Sequence, residues 1–268
     1  MRQSASPTSA TTTISMAKPK AVFQPPRIVL NAVEGWGKTS TVAHAPDAGI
    51  IMCDAETGYS TLLGAGRVPA IATAHATTWQ ELLGIVAGLK ADPGGIEVLG
   101  IDALSGAERL CYQCVCDRDF KSDWTSFYAY AKGPDLAVNE WMMMLAGLDA
   151  LRQHGIAIMI LSHAQVRPYA NPTGTDFDRY TTDTNRKTWS ATTKWADAVL
   201  FGEFYTVVEE KKGKRPKGTG GTERILHTER RDAYDAKNRY GMPEVIDIEN
   251  DPSKTWGTIW NAIKGDNK

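Results

Sequence analysis

Val29-Leu30-Asn31-Ala32-Val33-Glu34-Gly35-Trp36-Gly37-Lys38-Thr39-Ser40 is an apolar run, a glycine-bearing turn and the start of a helix. The stretch follows the phosphate-loop pattern, with Ala32 where the first glycine is usual. Each part has a physical task. Glycines let backbone N–H groups face inward around phosphate oxygens. The helix that follows turns its own first N–H groups toward the same anion. The Lys38 ammonium neutralises charge on the outer phosphates of a nucleotide, and the Thr39 hydroxyl can ligate Mg²⁺. Nucleotide contacts are therefore expected along Val33, Glu34, Gly35, Trp36, Gly37, Lys38, Thr39 and Ser40. Ala32 is tolerated as long as its backbone stays in a region open to L-residues. The Trp36 ring either covers the nucleotide or packs on a neighbouring subunit.

Outward from this stretch, apolar runs alternate with helical patterns. Ala48–Cys53, Glu97–Ile101 and Ile156–Leu161 lack polar alternation, as strands buried on both faces of a parallel sheet do. Val68–Ile71 is expected as a further short strand. Thr78–Lys90 carries helical spacing behind a threonine cap, and helices are expected near 104–116 and 135–154. The last third changes style. Ala198–Val208, Thr222–His227 and Glu244–Ile248 read as an antiparallel extension, closed by an amphipathic helix over 251–263. The class is α/β, a mostly parallel central sheet flanked by helices with an antiparallel C-terminal extension.

Acidic residues end two of these runs on the edge that carries the glycine turn. Asp102 follows Glu97–Ile101, where a carboxylate can hold Mg²⁺ through water or cap the next helix. Glu56 follows Ala48–Cys53 in Cys53-Asp54-Ala55-Glu56. It either polarises an attacking water or, with Asp54, caps the following helix.

The chain has 268 residues and a formal net charge of -1, which excludes a polybasic binder working by bulk charge. Nowhere are there eighteen consecutive apolar residues, so no transmembrane helix or membrane partner is expected. Four cysteines suit a reducing cytoplasm better than a secreted disulfide scaffold. Cys111, Cys114 and Cys116 read as thiols buried in a helix, and Met142-Met143-Met144 as core packing. Residues 1–20, rich in Ser and Thr and without an acid, read as a disordered arm, with residues 21–268 as one domain. Ala21-Val22-Phe23 either docks on a neighbouring subunit or packs back on its own domain.

Taken together, these segments resemble the RecA-type core ATPases over roughly residues 25–265. Ile51–Glu56 is similar to the segment that carries their catalytic glutamate, which maps to Glu56. Gly100-Ile101-Asp102 resembles their Walker B strand. Ile158–His163 resembles the strand whose last residue senses the γ-phosphate; the family often has Gln there, and here it is His163. Ala236–Pro243 is similar to the segment that reaches a neighbour's ATP, which implies catalytic roles for Lys237 and Arg239; a surface ion-pair cluster is the other reading. The family's separate N-terminal and C-terminal domains have no counterpart here. The core resembles most the phage ATP-binding proteins of single-strand annealing and recombination.

The resemblance implies ATP and Mg²⁺ as cofactors and a homo-oligomer, filament or ring, with ATP between subunits. It also implies single-stranded DNA as a partner and a possible single-strand DNA-binding protein beside it. Residues 164–190 fall where the family has a mobile DNA-binding loop, and Pro168, Pro172 and Gly174 argue against regular structure there. Arg167, Tyr169, Arg179, Tyr180, Arg186 and Lys187 interleave cations with rings, a composition suited to phosphates and stacked bases. Lys211–Lys217 reads as a basic hairpin tip. The expected activity is a DNA-dependent ATPase that promotes annealing or strand exchange. A ring helicase and a nucleotide-gated recruitment protein are the alternatives.

Overall fold

The computed structural model describes residues 18, 20–53, 58–209 and 217–265. The chain runs β1 (Arg27–Ala32), α1 (Lys38–Ala43), β2 (Ala48–Cys53), α2 (Gly58–Gly64), β3 (Ala72–Ala76), α3 (Trp79–Ala91) and β4 (Val98–Asp102). It continues with α4 (Leu104–Phe120), α5 (Trp124–Tyr128), α6 (Lys132–Arg152), β5 (Ala157–Tyr169), β6 (Phe177–Thr182) and α7 (Arg186–Trp195). Last come β7 (Ala198–Glu209), β8 (Lys217–His227), β9 (Lys237–Asn238), β10 (Val245–Ile248) and α8 (Pro252–Lys264). The sheet order is β10-β8-β7-β1-β5-β4-β2-β3, with β6 beside β5 and β9 beside β7. Strands β3, β2, β4, β5, β1 and β7 are parallel, while β8 and β10 are antiparallel additions. The expected α/β class with a parallel centre and an antiparallel extension is the observed one.

Alternate side chains of the central strands feed two cores. Val29, Ile101, Ile158, Ile160 and Val199 join residues of α3, α4, α6 and α7 on one face. Ile28, Leu30, Met159 and Leu200 join α1 and α8 on the other. Burial on both faces is why these runs carry no polar alternation. Thr78 and Glu81 form a reciprocal capping box at the start of α3.

Several expectations are corrected. Val68–Ile71 is not a strand; the edge strand lies at Ala72–Ala76. Pro69 has no N–H for a ladder. The Tyr59 hydroxyl meets the neighbouring backbone instead, donating to the Pro69 carbonyl at 3.2 Å and accepting from the Ile71 N–H at 2.9 Å. Residues 164–182 are a hairpin whose turn, 170–176, is the irregular part. β5 continues to Tyr169 and pairs antiparallel with β6. Pro168 is accommodated in this outlying pair, opposite Asp178, where one missing donor interrupts little. Of the three consecutive methionines only Met144 is buried, since a 100° step per residue cannot place all three on one face. Cys111 and Cys116 are buried in α4 and Cys114 is half-buried. Phe23 packs edge-on against Trp260 of its own α8, with centroids 5.9 Å apart. The arm expected over residues 1–20 lies, apart from Lys18 and Lys20, outside the described residues.

Candidate functional site

β1 delivers the chain to the C-terminal edge of the sheet, and the glycine turn begins there. Ala32 is still strand, paired with His163 on β5 and Gly202 on β7. It is absent from the positive-φ residues, so the alanine strains nothing. Gly35 (φ 72°) and Gly37 (φ 106°) take the left-handed backbone that an L-side chain resists. The Lys38 ammonium lies inside the turn and donates to the carbonyls of Ala32 (2.9 Å) and Val33 (3.2 Å). Lys38, Thr39 and Ser40 form the first turn of α1, where helix geometry turns the backbone N–H groups toward the loop. Glu34 is exposed at the tip, and Ser40 is buried beneath the loop.

Val33 and Trp36 depart from their expected roles. The Val33 N–H donates to the Gly202 carbonyl at 3.0 Å, so it faces β7 instead of the loop interior. The Trp36 N–H closes the turn on the Val33 carbonyl at 3.4 Å. The Trp36 ring is fully buried and neither covers a nucleotide nor meets another subunit. Its Nε1 donates to the Ile225 carbonyl at 3.3 Å, and the ring lies against Gly202, where a Cβ would stand 2.7 Å from it. Gly202 leaves the room that draws the indole inward.

Asp102 ends β4, one strand removed from β1 because β5 lies between them. Its carboxylate accepts from the Thr39 hydroxyl at 2.8 Å. The helix-cap reading fails: the residue before α4 is Ala103, and no side chain caps it. An ammonium, a hydroxyl, a carboxylate and a glycine turn thus converge at one sheet edge. This donor set fits a magnesium nucleotide. Lys38 and the loop N–H groups would hold phosphate oxygens, and Thr39 with Asp102 would hold the ion. Glu56 lies outside the described residues. His163 is half-buried and level with Ala32, beside the loop.

Lys237 and Arg239 lie elsewhere. Lys237 pairs with Val199, three residues below Gly202, about 10 Å along the strand at 3.3 Å per residue. Its ammonium donates to the carbonyls of Thr193 (2.8 Å), Lys194 (3.2 Å) and Ala196 (2.6 Å), closing the C-terminus of α7. Burial lowers its pKa, and the nearby Arg239 charge adds to this. Arg239 is half-exposed and donates to Asp197 at 3.1 Å. The ion-pair reading describes Arg239, whereas Lys237 is taken up by the carbonyls at the end of α7, and neither approaches the phosphate loop of its own chain.

The DNA candidates divide by face. Strand alternation and pairing put Arg167, Tyr169, Phe177 and Arg179 on one side of the β5–β6 hairpin. The Arg179 guanidinium lies 5.1 Å from the Tyr169 ring centroid and pairs with Asp235 at 2.7 Å. Tyr180 belongs to the opposite side and packs on Phe201, with centroids 4.9 Å apart. Arg186 and Lys187 are in the first turn of α7, not on the hairpin, and Lys187 pairs with Asp135. The tip expected at Lys211–Lys217 lies, except for the backbone of Lys217, outside the described residues.

Two further residues support the site without a motif to announce them. Glu108 of α4 accepts from the Asn185 N–H at 3.0 and 3.1 Å, joining the helix behind Asp102 to the start of α7. Burial raises its pKa, against the bonds it accepts from Thr188 and Asn185. Arg224 of β8 is buried against the phosphate loop and donates to the Trp36 carbonyl at 3.0 Å.

A sheet with a glycine turn after β1 and a carboxylate at the end of β4 defines a P-loop ATPase. A family model described as an AAA domain matches residues 24–240, and the chain belongs to that family. The match spans the phosphate loop, Asp102, His163 and the hairpin. A comparison with curated proteins gives no match. No described helix is long and apolar enough to cross a membrane.

Proposed function

We propose that this P-loop ATPase is DNA-dependent, assembles on single-stranded DNA and promotes annealing or strand exchange. Its setting would be phage recombination or replication in a bacterial cytoplasm. The observation that carries the proposal is the course of β5. One strand of 13 residues passes between β1 and β4, leaves His163 level with the phosphate loop, and continues into the hairpin that bears Arg167, Tyr169, Phe177 and Arg179. A shift at the nucleotide therefore has a continuous backbone path to a face of cations and rings suited to single strands.

Within this reading Lys38 neutralises the outer phosphates, and Thr39 and Asp102 hold Mg²⁺. The bound ion supplies charge neutralisation at the leaving phosphate. Glu56 polarises the attacking water and takes its proton. His163 reports the γ-phosphate to the hairpin. Arg239, set away from the phosphate loop of its own chain, meets the nucleotide of a second copy in a filament or ring. A single-strand DNA-binding protein is a further partner on the same strand.

The test compares ATP turnover with and without single-stranded DNA, alongside annealing and unwinding assays. DNA-stimulated turnover with annealing and no unwinding is the expected result. Directional unwinding would instead identify a translocase. An ATPase indifferent to DNA in both rate and binding would leave a nucleotide-gated recruitment protein. Mixing Arg239→Ala with Glu56→Gln subunits should restore part of the turnover; no rescue in well-formed oligomers removes the shared site.

A further inference from the structure

We infer that Arg224 is a positioning residue for the phosphate loop, and that its buried charge favours the more highly charged nucleotide. The inference rests on the P-loop ATPase reading and goes beyond its motif residues.

Arg224 is 6% exposed and reaches across from β8 to the back of the loop. Nη1 donates to the Trp36 carbonyl at 3.0 Å. Nη2 donates to the Glu249 carbonyl and, at 3.4 Å, to the Thr255 hydroxyl of α8. The guanidinium carbon lies 5.4 Å from the centroid of the Trp36 ring, whose own Nε1 is bonded to the next residue of β8. The loop is thus tied to one strand twice, by a carbonyl and by an indole.

The carbonyl tie has a geometric consequence. In a planar trans peptide the C=O of one residue and the N–H of the next point in opposite directions. Holding the Trp36 carbonyl on Arg224 therefore turns the Gly37 N–H away from Arg224. Gly37 cannot be replaced by a bulkier residue to the same effect, since a Cβ there would lie 3.0 Å from Arg224 Nη1. Arg224 and Gly37 form one fitted contact.

The charge is the second part. Among the described residues no carboxylate forms an ion pair with Arg224. Its hydrogen-bond acceptors are neutral oxygens, and Asp251 acts on it only from a distance. Burial lowers its pKa, yet an arginine stays charged throughout the working pH range. A guanidinium without a paired carboxylate, in a poorly screened interior, is a standing positive potential behind an anion site. Loss of that charge should be felt more by ATP than by ADP.

The experiment titrates ATP and ADP, with magnesium, into full-length wild-type, Arg224→Lys and Arg224→Gln proteins by calorimetry. All titrations are run well below the melting temperature of each unliganded variant. Arg224→Gln should weaken ATP roughly tenfold, about 1.4 kcal/mol, and ADP by clearly less. Arg224→Lys, which keeps the charge without the two-way fork, should fall between. A merely structural arginine would lower the melting temperature while ATP and ADP affinities stayed at wild-type values or fell equally, and either result overturns the inference. Should Arg224→Gln not fold, Arg224→Lys decides alone: ATP binding weakened more than ADP binding supports the inference, and wild-type affinities or an equal fall of both overturn it. A wild-type protein that binds neither nucleotide overturns the ATPase reading, and this inference with it.

Discussion

Asp102 ends β4 and Thr39 lies in the first turn of α1, which follows β1 on the far side of β5, yet their oxygens lie 2.8 Å apart. Asp102→Asn keeps the size of the side chain and an oxygen for the Thr39 hydroxyl, but removes the charge that would hold Mg²⁺. ATP hydrolysis should fall roughly 100-fold, the scale of losing one preorganised electrostatic group, with the fold intact. Phosphate release in magnesium measures this, and wild-type turnover would remove Asp102 from the metal site. Glu108, one turn into α4, makes a different prediction. Its pKa is raised in the folded protein, chiefly by burial. The folded state therefore holds its proton at pH values where the unfolded state has lost it, and stability falls as pH rises from about 4.5. Glu108→Gln cannot ionise. Its melting temperature should gain on the wild type as pH rises through that window; a constant difference between the two proteins would exclude the effect.

At the scale of elements, legibility followed burial. β2, β4 and β5 could be read in the sequence because burial on both faces leaves an apolar run with no alternation, and α3 because Thr78 and Glu81 are a local signal. The phosphate loop was legible for the same reason: its chemistry is written in consecutive residues. The β5–β6 hairpin was not, because Pro168 argues locally against a strand while its pairing opposite Asp178 decides otherwise; Gly174 falls in the turn between the two strands. Nor was the fate of Trp36, which depends on Gly202, 166 positions later, being too small to exclude it. Gly202→Ala tests that packing. The added methyl would lie 2.7 Å from the indole and 2.9 Å from Ala32 Cβ. Overpacking of this kind costs about 1–3 kcal/mol, and here it would also displace the loop, weakening ATP binding. Gly88→Ala in α3 is the control, with nothing within 4 Å of the new methyl. It should stabilise by about 0.5–1 kcal/mol. Denaturant unfolding of both variants checks the contrast, and an equal response would show that packing on Trp36 is not the cause.

Over the whole molecule, Asp197 holds together segments that lie far apart in the chain. Its carboxylate takes Arg27 of β1 at 2.8 and 3.1 Å, Arg152 of α6 at 3.1 Å and Arg239 at 3.1 Å. Arg27 also reaches Asp149 at 2.9 Å, which accepts from the Trp195 indole at 2.9 Å. The edge of the sheet away from the phosphate loop is thereby fastened by one buried acid, while Arg239, the residue proposed to meet a neighbour, stays half-exposed on it. Burial alone would raise the Asp197 pKa, but its bonds and charge contacts with Arg27, then the charge of Arg152 and the bond from Arg239, outweigh burial and lower it. Here the sign is opposite to that of Glu108. The contribution is complete above about pH 4, where an unfolded aspartate is ionised, and is lost as pH falls through the lower value in the folded state. Asp197→Asn leaves three arginines facing a neutral amide and should cost about 3 kcal/mol at neutral pH. The deficit should shrink on acidification, as the wild type loses the same charge. Urea unfolding from pH 7 to pH 3 reads both numbers. A deficit that persists undiminished at the acid end would mean that Asp197 acts by shape and hydrogen bonding, not by the charge that ties Arg27, Arg152 and Arg239 to one point.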